Sequence, residues 1–140
     1  MKSNINILIR SFKLKTWFEK VVQRLEKVEK IKSDQMSVVI VADQRIKTLN
    51  RKYRKKNKVT DVLSFVESDI NQKYKLSNDS YLGEIFINFR QAERQAKDLK
   101  TEMLNLLVHG YLHLRGYTHD NDREMKRIKE LTEKIIKKIK

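Results

Sequence analysis

The chain has 140 residues, no cysteine and a formal net charge of +14 at pH 7. This length suits a single domain over residues 1–140, and the lack of cysteine excludes disulfides, a thiol nucleophile and cysteine-ligated zinc. The excess of Lys and Arg favours nucleic acid or an anionic surface as a partner, although a lysine-rich background composition would give the same sign of charge.

No apolar run of the sequence approaches the roughly 20 residues that span a bilayer. The opening stretch MKSNINILIR has neither a long apolar region nor a small-residue cleavage site, so it does not resemble a signal peptide. We therefore expect a cytoplasmic protein with no membrane partner.

The first half of the chain predicts two strand–helix pairs. Residues 4–10 alternate polar and apolar side chains, as a half-buried strand does. Residues 11–30 carry apolar side chains at helical spacing, and the serine at the start is the expected N-cap. The β-branched run at 36–42 predicts a buried strand. Asp43 is then expected to cap a helix over residues 43–53.

The second half of the chain predicts a hairpin followed by helices. Residues 61–66 and 81–88 have the composition of strands, and the polar stretch 68–80 is expected to be the loop between them. Helices are predicted at about 89–98, 101–115 and 121–138. This order predicts an α+β fold, in which a four-stranded mixed sheet packs against several helices.

All three histidines lie in the stretch VHGYLHLRGYTHD. Residues 101–115 are apolar almost all round, which is typical of a central, buried helix. On that helix His109 and His113 are one turn apart, so both imidazoles can reach one ion. Gly116 can end the helix in the left-handed conformation, and the chain can then turn back and bring His119 to the same point.

Three imidazoles with a fourth position left open are typical of a catalytic zinc site, because a closed structural site needs a fourth protein ligand. We therefore predict one Zn²⁺ per chain, bound by His109, His113 and His119 and by a water molecule. Nickel, copper or iron would also suit three histidines. The alternative is a set of hydrogen-bonded core histidines without a metal, which an H-x-x-x-H spacing alone would favour.

The spacing H-x-x-x-H-x-x-G-x-x-H matches the ligand spacing of the long zincin protease motif, H-E-x-x-H-x-x-G-x-x-H. The glutamate that serves as general base in that motif is replaced here by Gly110. Glycine has no side chain that could take a proton from water. The sequence therefore favours a metal hydrolase of another type.

Three blocks of the sequence agree in order and spacing with one known family over about residues 36–130. HGYLHLRGYTH is similar to the signature H-G-x-L-H-L-x-G-Y-D-H. LNRKYRKKNKVTDVLSF (49–65) is similar to the block N-x-x-Y-R…T-D-V-L-S-F, and LGEIFIN (82–88) is similar to an L-G-D-I strand. The chain thereby resembles the YbeY family, the bacterial endoribonucleases of ribosomal RNA maturation.

The resemblance implies a metal-dependent endoribonuclease that cuts single-stranded RNA. It implies a role in maturation of the 3′ end of 16S ribosomal RNA and in ribosome quality control. The partners would be ribosomal RNA precursors and ribosomal particles. It also implies a functional role for Arg54, which matches the arginine of the family's Y-R pair, and a cleft-lining position for Ser64 in the T-D-V-L-S-F strand.

Three positions depart from the family pattern. Thr118 stands where the family usually has Asp, next to the last histidine, which removes a carboxylate that could orient a ligand. Asp120 is near enough in sequence to replace it. Val59 and Val66 stand where the family usually has proline, which concerns the stiffness of the loops rather than the chemistry.

The stretch RKYRKKNK (51–58) has six basic residues in eight. It is either a solvated helix end, which the helix dipole favours, or a phosphate-binding edge. An arginine beside a metal suits phosphodiester chemistry, because its planar fork clamps phosphate oxygens and stabilises developing charge. We predict Arg54 as a catalytic residue, and Lys55, Lys56 and Ser64 as substrate-binding residues, the two lysines through diffuse electrostatic attraction.

Our hypothesis for the mechanism is that the metal polarises a phosphoryl oxygen or activates a water molecule, while Arg54 stabilises the negative charge on the phosphate. Two alternatives stay open: a zinc hydrolase or peptidase that uses a different base, and a non-catalytic ribosome assembly factor with a structural metal. Cleavage of peptides but not RNA would favour the first. RNA binding that survives His→Ala substitution, without cleavage, would favour the second.

Overall fold

The computed structural model describes the backbone of residues 4–6 and residues 11–66 and 81–140. The strands are β1 (Asn4–Asn6), β2 (Met36–Val41), β3 (Val62–Val66) and β4 (Gly83–Asn88). The helices are α1 (Phe12–Val28), α2 (Asp43–Arg54), α3 (Phe89–Gln95), α4 (Leu99–Leu114) and α5 (Asp122–Ile139). The predicted loop at 68–80 and residues 7–10 of the predicted first strand lie outside the described residues.

The strands form one mixed sheet in the order β1-β2-β4-β3. Strand β2 runs parallel to β4, with Val38 opposite Ile85, and β3 runs antiparallel to β4, with Ser64 opposite Ile85. The antiparallel pair is the one that the sequence predicts as a hairpin. A mixed sheet with helices packed on it confirms the α+β class.

One edge of the sheet departs from the prediction. Strand β1 has three residues and pairs with β2, whereas the other three strands have five or six residues each. Among the described residues the sheet therefore has three longer strands. The predicted number of four is met only if the short edge segment β1 is included. The described part of the alternating pattern at 4–10, Asn4–Asn6, pairs with β2, and a pattern of this kind predicts which side chains face a core rather than how many residues pair.

The two faces of the sheet carry cores of different size. One face contributes Met36, Val38, Ile85 and Ile87 to a large buried cluster with side chains of α1, α4 and α5. The other face joins a small cluster with α2, made of Val41, Ile46, Leu49, Phe65 and Phe86. Burying one large aliphatic side chain contributes about 1.5–3 kcal/mol, so the larger cluster dominates the stability of the fold.

Helix α4 lies inside the larger core, which confirms the predicted central, buried helix. Its buried residues are distributed around the whole circumference: Met103, Leu104, Leu106, Leu107, Val108, Gly110, Tyr111, Leu112 and Leu114. Within residues 11–66 and 81–140, neither α4 nor another helix is both long and apolar enough to cross a membrane.

The predicted start of α1 is confirmed, and that of α2 is wrong by one residue. Ser11 caps α1, because its hydroxyl accepts a hydrogen bond from the Leu14 amide at 3.3 Å. The N-cap of α2 is Ala42, and Asp43 is the first helical residue. The Asp43 carboxylate is used elsewhere: it accepts hydrogen bonds from the Asn88 amide at 2.8 Å and from the Arg94 guanidinium at 2.6 Å.

Candidate metal centre

Helix α4 ends in a turn that brings all three histidines together. Asp98 caps its start by accepting a hydrogen bond from the Thr101 amide at 3.2 Å. After the helix, Gly116 has a φ of +97°, a left-handed conformation that side-chain-bearing residues rarely adopt. The Tyr117 amide donates to the Leu112 carbonyl at 3.1 Å, which closes the turn.

The three imidazoles converge on one point. One ring nitrogen from each of His109, His113 and His119 lies within 4.8 Å of the others, and the ring centroids are 4.5–4.6 Å apart. The Nε2 atoms of His109 and His113 are 3.0 Å apart. Nitrogen ligands of a tetrahedral zinc ion, with bonds of about 2.0–2.1 Å, lie roughly 3.4 Å from one another. The three side chains therefore fit a single metal ion after small rotations of the rings.

The electrostatics of the site favour the neutral form of the two histidines on α4. Burial, with the neighbouring His113 and His119 rings, lowers the pKa of His109 to about 4, while the Asp61 carboxylate opposes the shift. Burial also lowers the pKa of His113. The charges of His119 and Arg54 act in the same direction, and a hydrogen bond with the Tyr117 backbone opposes the shift. Because a metal binds the neutral ring, these environments favour the protonation state that coordination needs.

The opposite wall of the site is formed by the end of α2 and by β3. Arg54 is the last residue of α2, and its Nη2 donates to the Ser64 carbonyl at 2.7 Å. The guanidinium also lies over the Phe65 ring, 4.8 Å from the centroid. These two contacts fix the direction of the guanidinium.

Both walls line one surface pocket of about 310 Å³. Arg54 and Ser64 line it from one side, and His109 and His113 line it from the other. The structure thus brings together four of the residues that the sequence predicts for the site, with His119 completing the histidine cluster at its edge. Such a pocket can hold a group that contacts a metal and a cation at the same time.

The two predicted lysines lie farther out. Lys55 follows α2 in the left-handed conformation, with a φ of 61°, and both Lys55 and Lys56 are exposed. Neither is among the described residues that line the pocket. Their position suits attraction of an anionic substrate over a distance rather than direct contact with a group inside the pocket.

Two buried asparagines hold the segment that joins α2 to β3. Asn50 donates from Nδ2 to the Lys58 carbonyl at 3.1 Å, and Asn88 donates from Nδ2 to the Thr60 carbonyl at 3.1 Å. Their exposed fractions are 3% and 0%. The Asn88 backbone amide also donates to the Asp61 carbonyl at 2.8 Å. Neither asparagine was predicted from the sequence. For Asn88 the available signal was a polar residue directly after the apolar run of β4.

Gly110 has a role that the sequence analysis did not assign. A Cβ atom at this position would lie 2.6 Å from Cγ2 of Ile85, which is closer than any tolerated contact. The glycine therefore allows α4 to pack closely on β4. A glutamate at this position would force Ile85 or the helix to shift, so the close packing of α4 on β4 disfavours a zincin-type base here.

The loop that carries the third histidine is attached to α5 through Glu124. The Thr118 hydroxyl hydrogen-bonds to the Glu124 carboxylate, and the Asp120 amide donates to the same carboxylate at 3.2 Å. Asn121 caps α5 by accepting from the Glu124 amide at 2.9 Å. The carboxylate next to this loop is thus that of Glu124, while Asp120 contributes its backbone amide to the contact.

Comparisons with known proteins agree with this geometry. The family described as "Endoribonuclease YbeY" matches residues 2–140. An endoribonuclease YbeY of Phytoplasma australiense is 42% identical over 133 residues, which is 92% of this chain and 90% of the relative. An endoribonuclease YbeY of Thermodesulfovibrio yellowstonii is 33% identical over 162 residues, which is 100% of this chain and 99% of the relative.

A solved structure has a similar fold. The solution structure of a Thermotoga maritima protein is similar with a TM-score of 0.62 and 26% sequence identity, over 99% of this chain and 89% of that one. The family match spans almost the whole chain, and the resemblance that the three sequence blocks indicate is confirmed. The chain belongs to the YbeY family.

Proposed function

We propose that this protein is a metal-dependent endoribonuclease whose metal ligands are His109, His113 and His119. One observation carries the proposal: three imidazoles converge on one point, and two of them line a single pocket together with an oriented guanidinium. A phosphodiester needs both groups, because negative charge develops on its oxygens during cleavage. The YbeY relatives are named endoribonucleases, which supports RNA as the substrate.

The metal that we propose is a single Zn²⁺ per chain. Three nitrogen donors on a buried helix and its following turn suit zinc, and a fourth position is left open toward the pocket. Zinc held there would supply a Lewis acid next to the scissile phosphate. Metal analysis of the purified protein should find about one zinc ion per chain, and a different transition metal at that stoichiometry would correct the identity but not the site.

Arg54 is proposed as the catalytic residue of the opposite wall. The contacts with the Ser64 carbonyl and the Phe65 ring hold its guanidinium in place before a substrate arrives. A group that is already oriented stabilises developing charge without reorganisation at the moment of reaction. The Ser64 side chain lines the same pocket and is proposed to contact the ribose or phosphate of the substrate.

Lys55 and Lys56 are proposed to attract RNA rather than to bind one particular phosphate. Both are exposed at the end of α2. Replacing both with alanine should raise the KM for RNA by only a fewfold and leave kcat unchanged. A loss of kcat would show instead that they reach the reacting phosphate.

The proposed substrate is single-stranded ribosomal RNA precursor, met on ribosomal particles. A single strand is flexible and can place one phosphate in the pocket between the two walls. A duplex is a rigid cylinder, which makes the same placement harder. The net charge of +14 supports an anionic macromolecule of this kind. The cytoplasm, where ribosomes are assembled, is the proposed location.

The deciding experiment is cleavage of a 5′-labelled single-stranded RNA by the purified protein, beside His113→Ala and Arg54→Ala. Arg51→Ala is the matched control, because Arg51 is exposed on the same helix and does not line the pocket. We expect cleavage by the wild type and the control, a loss of about 10²-fold or more for Arg54→Ala, and background activity for His113→Ala. Equal cleavage by all four proteins would point to a contaminant and to the assembly-factor alternative.

A further inference from the structure

A second basic surface runs along α5, away from α2. Arg123, Arg127, Lys134 and Lys138 are all exposed and recur at helical spacing, within about 60° of one another around the axis. We call these four residues the α5 basic face. By helical rise it extends over about 22 Å. Two acidic residues of the helix adjoin this face: Glu130 lies beside it, and Glu124 lines a cavity together with Arg123 and Arg127.

The α5 basic face is continuous with the metal pocket. Arg123 and Arg127 line a cavity of about 160 Å³ together with Gly116, Tyr117, Thr118 and Glu124, and the Glu124 carboxylate is already bonded to the Thr118 hydroxyl and the Asp120 amide. Lys134 and Lys138 line a second cavity, of about 560 Å³, together with Arg115 and Tyr117. Tyr117 also lines the pocket of the metal centre. Three cavities therefore meet at one tyrosine, and a chain leaving the metal pocket can enter either of the other two.

The cations of this surface are available to a ligand. Within residues 11–66 and 81–140, the side chains of the α5 basic face form no salt bridge and no hydrogen bond. Arg115, at the second cavity, is fixed: its Nε donates to the Tyr111 hydroxyl at 2.8 Å, and that hydroxyl donates to Glu29 at 2.8 Å. Like charges placed four residues apart on a helix repel one another, so an anionic partner would relieve the repulsion.

We propose that the α5 basic face and Arg115 bind the sugar–phosphate backbone of single-stranded RNA on one side of the cleavage site. This inference rests on the proposed function, since the strand is the one whose scissile phosphate lies in the metal pocket. Contacts to phosphates carry no sequence information, so the surface adds affinity and direction rather than sequence preference. The Tyr117 ring, where the cavities meet, offers a face on which a base can stack.

An anionic membrane is a weaker candidate for this surface. Helices that lie on membranes insert an apolar face between lipid headgroups. The apolar face of α5 is already used, because Ile128, Ile135 and Ile139 are buried in the large core. Few apolar side chains of α5 remain exposed beside the cations for insertion into a bilayer. A flexible polyanion such as RNA can bind through the charges alone.

The test compares two substrates and two variants. The first variant replaces the four residues of the α5 basic face with glutamine. The control variant removes the same four charges from exposed positions that line none of the three cavities, namely Lys13, Lys20, Lys27 and Arg45. One RNA is just long enough to fill the metal pocket, and the other extends beyond it by about ten nucleotides on each side, which exceeds the length of the helix.

For the long RNA we expect the α5 variant to raise KM about tenfold and to leave kcat unchanged, while the control variant behaves like the wild type. The short RNA should be cleaved alike by all three proteins. Binding of fluorescein-labelled long RNA is measured in the His113→Ala background, where no cleavage occurs. In that background, log affinity should fall as log salt concentration rises. Removing four phosphate contacts should make this negative slope smaller in magnitude by about 3.

The outcomes separate this inference from the proposed function. If the wild type cleaves neither RNA, the proposed function fails, and the binding measurement alone decides the role of the α5 basic face. If the wild type cleaves RNA and the α5 variant keeps the same KM and salt slope, the inference is wrong. It is also wrong if the control variant loses as much affinity, or if vesicles containing phosphatidylserine bind through this face more tightly than RNA does.

Discussion

The two walls of the metal pocket are built in different ways. The wall of α4, which carries His109 and His113, is held by apolar side chains buried around the whole helix. The wall of α2 and β3, which carries Arg54, is held by hydrogen bonds from the buried amides of Asn50 and Asn88 to the connecting segment. Packing thus fixes the two metal ligands on α4, while directional polar contacts hold the segment beside the guanidinium.

This difference suggests that the two walls can be disturbed separately. Apolar packing is non-directional and summed over many contacts, so no single polar change should displace the histidines. A buried amide has few partners, and losing it leaves carbonyl groups without a donor.

The largest effect should come from the metal itself. A ligand that binds only the folded state stabilises it by RT ln(1 + [L]/Kd), or about 4 kcal/mol at a thousandfold excess over Kd. We expect added Zn²⁺ to raise the Tm of the metal-free wild type and of Arg54→Ala by the same amount, and to leave His113→Ala unchanged. Thermal unfolding with and without Zn²⁺ measures this. A reduced shift in Arg54→Ala would show that the walls are coupled.

The second effect concerns the polar wall. Asn88 is fully buried, donates to Asp43 and Thr60, and caps α3 by accepting from the Arg90 amide at 3.1 Å. Asn88→Ala should lower the free energy of unfolding by about 2–3 kcal/mol, because several buried groups lose a partner. Urea unfolding provides the measurement.

Asn121→Ala is the matched control for Asn88→Ala, because Asn121 caps α5 but is exposed. It should cost about 1 kcal/mol. We further expect Asn88→Ala to reduce RNA cleavage while it keeps the Zn²⁺-dependent shift in Tm. Loss of both properties together would mean that Asn88 supports the whole fold rather than one wall.

The third effect concerns the packed wall. Alanine at position 110 gains about 1 kcal/mol in helix propensity but places a Cβ 2.6 Å from Cγ2 of Ile85. Overpacking of this kind costs about 1–3 kcal/mol, so Gly110→Ala should be destabilising by up to about 2 kcal/mol net. A double-mutant cycle with Ile85→Ala checks the cause in urea unfolding. Additive losses would show that the Ile85 contact is not responsible.

The smallest effect depends on pH. Hydrogen bonds from Arg94 and Asn88 lower the pKa of Asp43 from 3.8 to about 2. A carboxyl with a lowered pKa stabilises the fold above its unfolded-state value, and this contribution is lost as the pH falls from about 3.8 through about 2. Asp43 and Arg94 are both substantially exposed, which limits the gain to under about 1 kcal/mol. The urea midpoint of the wild type should exceed that of Asp43→Asn at pH 6, and the two should converge below pH 2.

The histidine wall was predictable from sequence because its determinants are local. Two histidines one turn apart on an apolar helix, followed by Gly116 and His119, define the cluster without knowledge of the rest of the fold. The structure brings the three side chains together as that pattern predicts. The placement of Arg54 required the resemblance to a family, since composition alone allowed a solvated helix end.

The parts that sequence reasoning missed depend on contacts between distant segments. Nothing in the sequence near Asn88 indicates that the Thr60 carbonyl will lie beside it, because 28 residues separate the two. The same reason explains Asp43, which is expected to cap its own helix but instead pairs with Arg94, 51 residues away. The close approach of Gly110 to Ile85 is likewise a property of the packed helix and sheet.

The order of the elements along the chain has a consequence for synthesis. Every described strand of the sheet precedes α4. The strands therefore leave the ribosome before the helix that packs on the face with the larger core. Until α4 emerges, α1 alone packs against apolar residues such as Val38 and Ile87 on that side, so part of the larger core stays exposed and prone to aggregation. A nascent chain that ends before His109 carries Arg54 and the basic end of α2 but none of the metal ligands. We therefore expect it to bind RNA without cutting it, so that the ribosome making this protein is not exposed to a partly made nuclease.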